Sequence, residues 1–139
     1  MIMRVTFSPS EAEISVVQNG LRSHNTAFFD ESEHTELAVF HEVNGEIKAG
    51  LTGDIIGNWL RIKYLWVDKS LRGQRIGTAL MRQAQESARE RGAKFAQVDT
   101  FSFQARPFYL KMGFEEVLTL ESYPRTHERI YFRKTLEQP

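Results

Sequence analysis

Cysteine is absent from the 139 residues, which excludes a disulfide framework, a thiolate metal site and a cysteine nucleophile, and leaves the compartment unconstrained by redox chemistry. Net charge is absent too. Lysine and arginine number 18 and aspartate and glutamate 18, a balance that argues against bulk nucleic acid or an anionic membrane surface as partner. The N-terminus lacks the long apolar core of a signal peptide, and no run approaches the length of a membrane span, so a cytoplasmic address without a membrane partner is the expectation. Internal repeats, linkers and low-complexity segments are missing. Two phosphate motifs are missing as well: no Gly-Lys-Ser/Thr follows Gly73, and no G-x-G-x-x-G occurs. The histidines His24, His34, His41 and His127 are scattered without metal-ligand spacing, so no metal is expected and they read as surface or strand residues.

What is present suffices for one domain spanning residues 1–139, with 41% hydrophobic content to build a core. Arg4 to Phe7 reads as a first strand, followed by a break at Ser8-Pro9-Ser10 and a helix from about Ser10 to Ser23 with Ile14, Val17 and Leu21 at helical spacing. His24 to Glu36 is polar and acidic around Ala27-Phe28-Phe29, with Asp30, Glu31, Glu33 and Glu36, and reads as a solvated loop or short helix ahead of a lid over an acceptor site. Leu37 to Val43 and Glu46 to Ile56 form a hairpin across Asn44-Gly45, a strong turn signal, and Gly57-Asn58 marks a second hairpin into a strand from Leu60 to Val67. Ile76, Leu80, Met81, Ala84 and Ala88 share one side of a helix that Gly92 ends. Phe95 to Thr100 is the next strand, then a short helix with Pro107 near its start and Gly113 past its end, then strands over Phe114 to Leu120 and Glu128 to Leu136 across a turn near Pro124. Trp59 and Trp66 read as core or pocket wall.

The most informative stretch is Leu65 to Ala79, an apolar strand that passes through a basic, glycine-bearing loop into a helix. Glycine lets backbone approach a ligand closely, and the first helical turn leaves N–H groups without intrahelical partners. The helix dipole adds partial positive charge there, and Arg72 and Arg75 add two full charges, so a phosphate or pyrophosphate is the natural guest.

The run Arg72-Gly73-Gln74-Arg75-Ile76-Gly77 resembles the Arg/Gln-x-x-Gly-x-Gly/Ala signature of the GNAT acetyltransferase superfamily, with Arg75 in place of the first glycine. Downstream, Ser102 to Phe114 resembles the family's Asn-x-x-Ala-x-x-Phe/Leu-Tyr-x-x-x-Gly-Phe signature, with Ser102 in place of the asparagine. The resemblance covers nearly the whole chain. It implies an α/β (α+β) GNAT fold: a mixed sheet of six to seven strands flanked by about four helices, with the fourth and fifth strands splayed apart. It also implies acetyl-CoA as cosubstrate, with Arg72, Gly73, Gln74, Arg75, Ile76, Gly77, Thr78 and Ala79 around its pyrophosphate. Leu65, Trp66 and Val67 would pair with pantetheine, and Ser102, Phe108 and Tyr109 would line the arm. Arg75 is expected alongside the phosphates as an extra cation.

Transfer of an acetyl group to an amine needs a polarised carbonyl, a deprotonated nucleophile and a proton for the departing thiolate. The Leu65 N–H is the candidate for the first. Tyr109 alone reads as an aromatic core residue beside Phe108; the resemblance makes it the general acid. Several family branches carry a base as a strand glutamate, but Arg61 stands there, leaving water-mediated transfer to Asp99, Asp54 or Glu36, or an amine that arrives neutral. Arg61 and Lys63, both cationic, either face an acceptor bearing a carboxylate or phosphate or reach solvent at the sheet edge. His24-Asn25 is a further candidate for reaching the acceptor. The expectation is thus an N-acetyltransferase acting on a primary amine, more a small molecule than a protein, by direct attack in a ternary complex. Its rivals are a non-catalytic acyl-CoA-binding or regulatory module and a nucleic-acid-binding domain using the basic loop. Family analogy leaves a homodimer open.

Overall fold

A computed structural model describes residues 1–28 and 33–136, in two compact units, Met1–Glu33 and His34–Pro139. In the first, α1 (Glu11–Asn25) starts at a capping box: Ser10 Oγ accepts from the Glu13 N–H, and the Glu13 carboxylate accepts from the Ser10 N–H. Residues 4–7, expected as a strand, are not one. Strand propensity there finds no sheet edge, and Arg4 pairs with Glu13 instead. Phe29, Asp30 and Glu31 of the expected lid lie outside the described residues. His34 and Glu36, expected in the polar stretch, belong to the first strand.

The second unit is a six-stranded mixed sheet. Its strands are β1 (His34–Val43), β2 (Glu46–Ile56), β3 (Trp59–Val67), β4 (Phe95–Phe101), β5 (Glu115–Leu120) and β6 (Arg129–Thr135), in the spatial order β1-β2-β3-β4-β6-β5. Among the described residues there are three α-helices, one fewer than expected, since α2 (Ile76–Glu90) and α3 (Arg106–Lys111) join α1 and the loop after β3 adds only a short 3-10 turn at Lys69–Leu71. The Asn44-Gly45 turn takes positive φ at both residues, as a tight hairpin requires. Leu80, Met81, Ala84 and Ala88 of α2 pack with Ala49, Leu51 and Ile55 of β2 and Leu60 and Ile62 of β3. Each large side chain fully buried there contributes about 1.5–3 kcal/mol.

One irregularity decides where the sheet opens. Thr52 pairs with Tyr64 and Gly53 with Ile62, so Lys63 is an extra residue, a bulge in β3. Parallel pairing between β3 and β4 runs from Trp59–Phe95 only to Ile62–Val98 and stops where the bulge begins. A bulge bends its strand and increases local twist, which carries Tyr64 to Val67 away from β4. Gly53 lies opposite, where a Cβ would sit 2.2 Å from the Arg61 carbonyl oxygen. The expected splay of the family's fourth and fifth strands is thus found between β3 and β4.

Candidate active site

The divergence leaves a cleft of about 360 Å³ lined by residues of β3, β4, the loop into α3, α3 itself and the start of β6, among them Leu65, Asp99, Gln104, Tyr109 and Arg129. Backbone direction in β3 follows from its pairing. Asp68 donates its N–H to the Lys48 carbonyl at 2.9 Å, and the register then runs Val67–Ala49, Trp66–Gly50, Leu65–Leu51 and Tyr64–Thr52. Because hydrogen-bonded and non-bonded pairs alternate in an antiparallel ladder, Tyr64 and Trp66 bond β2, while the N–H and C=O of Leu65 and Val67 turn toward the edge from which β4 has departed. Leu65 therefore presents a free strand edge to the cleft. Trp66 does not: its backbone is engaged with β2, its side chain is half exposed, and neither it nor Val67 lines the cleft. Trp59, 36% exposed, packs tilted against Phe95 with centroids 4.9 Å apart, so neither tryptophan is a core residue.

On the opposite wall, Tyr109 of α3 is 5% exposed and packed by Phe108, Phe114 and Phe132. Burial, with the negative charge of Asp99 added, pushes its phenol up to about 12. The hydroxyl therefore keeps its proton throughout the neutral range. Asp99 is the only carboxylate among the described cleft residues, and it is ion-paired to Arg129. Gln104, unremarked in the sequence, fastens the end of β4: its Oε1 accepts from the Phe101 N–H and the Thr100 hydroxyl, both at 3.0 Å. Ser102 Oγ accepts from the Glu128 N–H at 3.0 Å, so it ties the β4 end to the chain entering β6.

At the far end of β3, the loop reaches α2 through Gly73 at φ 84° and Arg75 at φ 60°. Arg75 occupies the N-cap in the left-handed region, which is where the family signature has glycine, and it caps no N–H with its side chain. Ala79 donates to the Arg75 carbonyl, so the N–H groups of Ile76, Gly77 and Thr78 have no intrahelical acceptor. Phe108 closes one side, 3.7 Å from where a Gly77 Cβ would stand. Arg72 lies across the loop, its Nε donating to the Val67 carbonyl at 3.4 Å. Free N–H groups at the positive end of the α2 dipole, with Arg72 and Arg75 in the loop before them, suit an anion.

Asp54 and Arg61 do not belong to the cleft's chemistry. The Asp54 side chain is 1% exposed and accepts from Arg61 Nε at 3.0 Å and Arg61 Nη2 at 2.7 Å, with His34 Nε2 at 3.1 Å and Lys63 Nζ at 3.2 Å. Burial pushes this carboxyl up, but the hydrogen bonds from Arg61, His34 and Lys63 outweigh it and hold it well below the usual carboxylate range. That removes Asp54 as a base. Arg61 and Lys63 both pair with this carboxylate within the chain while remaining about half exposed, and Lys63 also borders the cleft. Glu36 borders a separate hollow with Thr52 and Lys63. Asp54→Asn should destabilise the protein by about 2–3 kcal/mol at pH 7, below the 3–5 of a fully buried pair because its partners are half exposed. A depressed carboxyl stabilises the fold above its unfolded pKa of about 3.9 and loses that contribution as pH falls. Denaturant unfolding should therefore show the variant's deficit shrinking below pH 4.

Among the described residues no group of three His, Cys, Asp or Glu could hold a metal ion, and no helix is long and apolar enough to cross a membrane.

Residues 7–114 match the model of the acetyltransferase (GNAT) family. Over 81 residues the chain is 38% identical to blasticidin-S acetyltransferase of Streptomyces morookaense, a stretch covering 58% of this chain and 60% of that enzyme. It is 32% identical over 112 residues to an acetyltransferase of Agrobacterium fabrum, covering 80% and 81% of the two chains. The crystal structure of an acetyltransferase from Bacillus cereus superposes with a TM-score of 0.82 at 29% identity, over 98% of this chain and all of that one.

Proposed function

The chain belongs to the acetyltransferase (GNAT) family, and from that premise we propose that it transfers acetyl from acetyl-CoA to the primary amine of a small molecule. The observation that carries this reading is the free edge of Leu65 facing the buried Tyr109 across the cleft, with the anion cradle at the strand's end. In the ternary complex the Ile76, Gly77 and Thr78 N–H groups and the Arg72 and Arg75 cations hold the pyrophosphate, as helix N-termini and guanidinium groups do. Val67 and Leu65 offer strand edge to the pantetheine arm, and the Leu65 N–H donates to the thioester carbonyl as negative charge develops on its oxygen. Tyr109 donates to the departing sulfur. A phenol raised to about 12 does not release its proton completely to a thiolate of pKa about 8.5. Its hydrogen bond stabilises the negative charge on the sulfur as the C–N bond forms and the C–S bond breaks; the thiolate that leaves takes its proton from solvent, to which the proton lost by the amine returns.

Asp99 is the carboxylate in place to take that proton through water. Its pairing with Arg129 favours carrying the second reading, an acyl-CoA-binding module without turnover. Calorimetric titration of acetyl-CoA followed by a screen of amines for release of free CoA thiol tests both. Binding with turnover is the expected result. Binding without turnover on any amine leaves the module, and absence of binding overturns the cradle itself.

Arg75 provides a further test of the cradle. Left-handed backbone costs a non-glycine residue about 1–2 kcal/mol, and glycine's extra unfolded-state freedom offsets about 0.5–1 kcal/mol of the relief. Arg75→Gly should therefore raise stability by no more than about 1.5 kcal/mol while weakening acetyl-CoA about fivefold through the lost cation, measurable by thermal melts and calorimetry. Unchanged affinity would place Arg75 away from the phosphates.

A further inference from the structure

Beyond the cleft's outer rim lies a set of aromatic rings that neither the core nor the acetyl-transfer chemistry uses. Phe101, a cleft residue, stacks on Phe103 with centroids 5.1 Å apart and planes 8° from parallel. Tyr123 lies 5.7 Å from Phe101, and His127 meets Phe103 edge-on at 4.7 Å. The Arg129 guanidinium sits over Phe101 at 4.8 Å and over Tyr123 at 5.4 Å. Despite these contacts Phe103 remains 57% exposed and Tyr123 39% exposed.

Large apolar rings left in water at the mouth of a pocket cost hydration free energy, and here the backbone holds them there. Ser102 N–H donates to the Glu128 carbonyl at 2.8 Å and Glu128 N–H donates back to Ser102 Oγ, which clamps the loop after β4 to the chain entering β6. Tyr123 N–H donates to the His127 carbonyl at 2.8 Å, closing the turn that presents both rings. The platform is thus fixed before any guest arrives, which lowers the entropy lost on binding. Phe101 and Phe103 stand too close for a third ring between them, so a guest meets the parts of Phe103 and Tyr123 that Phe101, His127 and Arg129 leave exposed.

We propose that this platform selects the acceptor: the amine carries a planar unsaturated ring that stacks on Phe103 and Tyr123, with the nitrogen reaching past Phe101 into the cleft. Stacking is worth most for a flat π-system and little for a puckered saturated ring of equal size. The inference rests on the acetyltransferase reading for the direction in which the nitrogen points, and its test is independent of turnover.

The probes are benzylamine and cyclohexylmethylamine, primary amines matched in size and differing in planarity, titrated into the full chain by saturation-transfer NMR with CoA present and absent. Benzylamine is expected to bind about fivefold more tightly. Phe103→Leu should reduce that preference to within twofold without altering acetyl-CoA affinity, and Phe103→Trp should keep it. Because Phe103 is largely exposed, both variants are expected to fold. Equal binding of the two amines, no binding of either, or a preference that survives Phe103→Leu overturns the proposal. A chain that binds no acetyl-CoA overturns the function proposed above instead, and the ring preference measured without CoA still decides the platform.

Discussion

Tyr109→Phe is expected to lower kcat by about 10²- to 10³-fold while leaving the KM for acetyl-CoA within about twofold, the pattern of a lost hydrogen bond made in the transition state. The substitution removes one oxygen and keeps the ring, so the contacts with Phe108, Phe114 and Phe132 persist and the fold is retained. Alkaline stability gives a second readout. The phenol titrates near 10.0 when unfolded and is pushed up to about 12 in the native protein, so the unfolded state loses its proton first as pH rises. Stability is then complete below pH 10 and falls by roughly 2–3 kcal/mol between pH 10 and 12, at about 1.36 kcal/mol per unit. The Phe variant should lack that decline. A kcat within threefold of wild type would make Tyr109 a packing residue only.

Gly77→Glu should abolish acetyl-CoA binding, with a loss of at least about 100-fold. A carboxylate about 5 Å from a phosphate charge is repelled by roughly 3 kcal/mol at an effective dielectric near 20, and the pyrophosphate carries more than one charge. Space is not the obstacle, because a Cβ at Gly77 would make ordinary contacts of 3.7–3.9 Å with Phe108 and Val67. Gly77→Gln separates the two effects: equal losses in Glu and Gln variants would assign the defect to bulk, whereas a much smaller loss in Gln would assign it to charge. Circular dichroism establishes that α2 is intact in both. Retained binding in the Glu variant would move the pyrophosphate away from α2.

The strand–loop–helix run from Leu65 to Ala79, the hairpin at Asn44-Gly45, the α2 stripe from Ile76 to Ala88 and the short helix carrying Tyr109 were all legible in the chain. Each depends on interactions between residues a few positions apart: turn residues that accept positive φ, helical spacing of apolar groups, and glycine or proline at helix ends. The two signatures identified the family for the same reason, since each is contiguous. Gly53 in the middle of β2 was the local sign of the bulge that could have been read, because glycine inside a strand marks a bulge or a close backbone approach.

What tertiary structure alone decided depends on partners distant in sequence. The strand expected at Arg4 to Phe7 has suitable residues but no ladder, and a strand exists only with a neighbour. Trp66 and Leu65 are adjacent, yet the register with Gly50 and Leu51 sends one backbone toward β2 and the other into the cleft. Asp54 could have been a base until Arg61, Lys63 and His34 converged on it from two other strands. Phe101, Phe103, Tyr123 and Arg129 become one surface only when β4 pairs with β6. Local chemistry thus determined which elements form and what anion the loop attracts, while long-range strand pairing determined which backbone edges and side chains face the cleft, because register is a property of two strands and neither strand's sequence contains it alone.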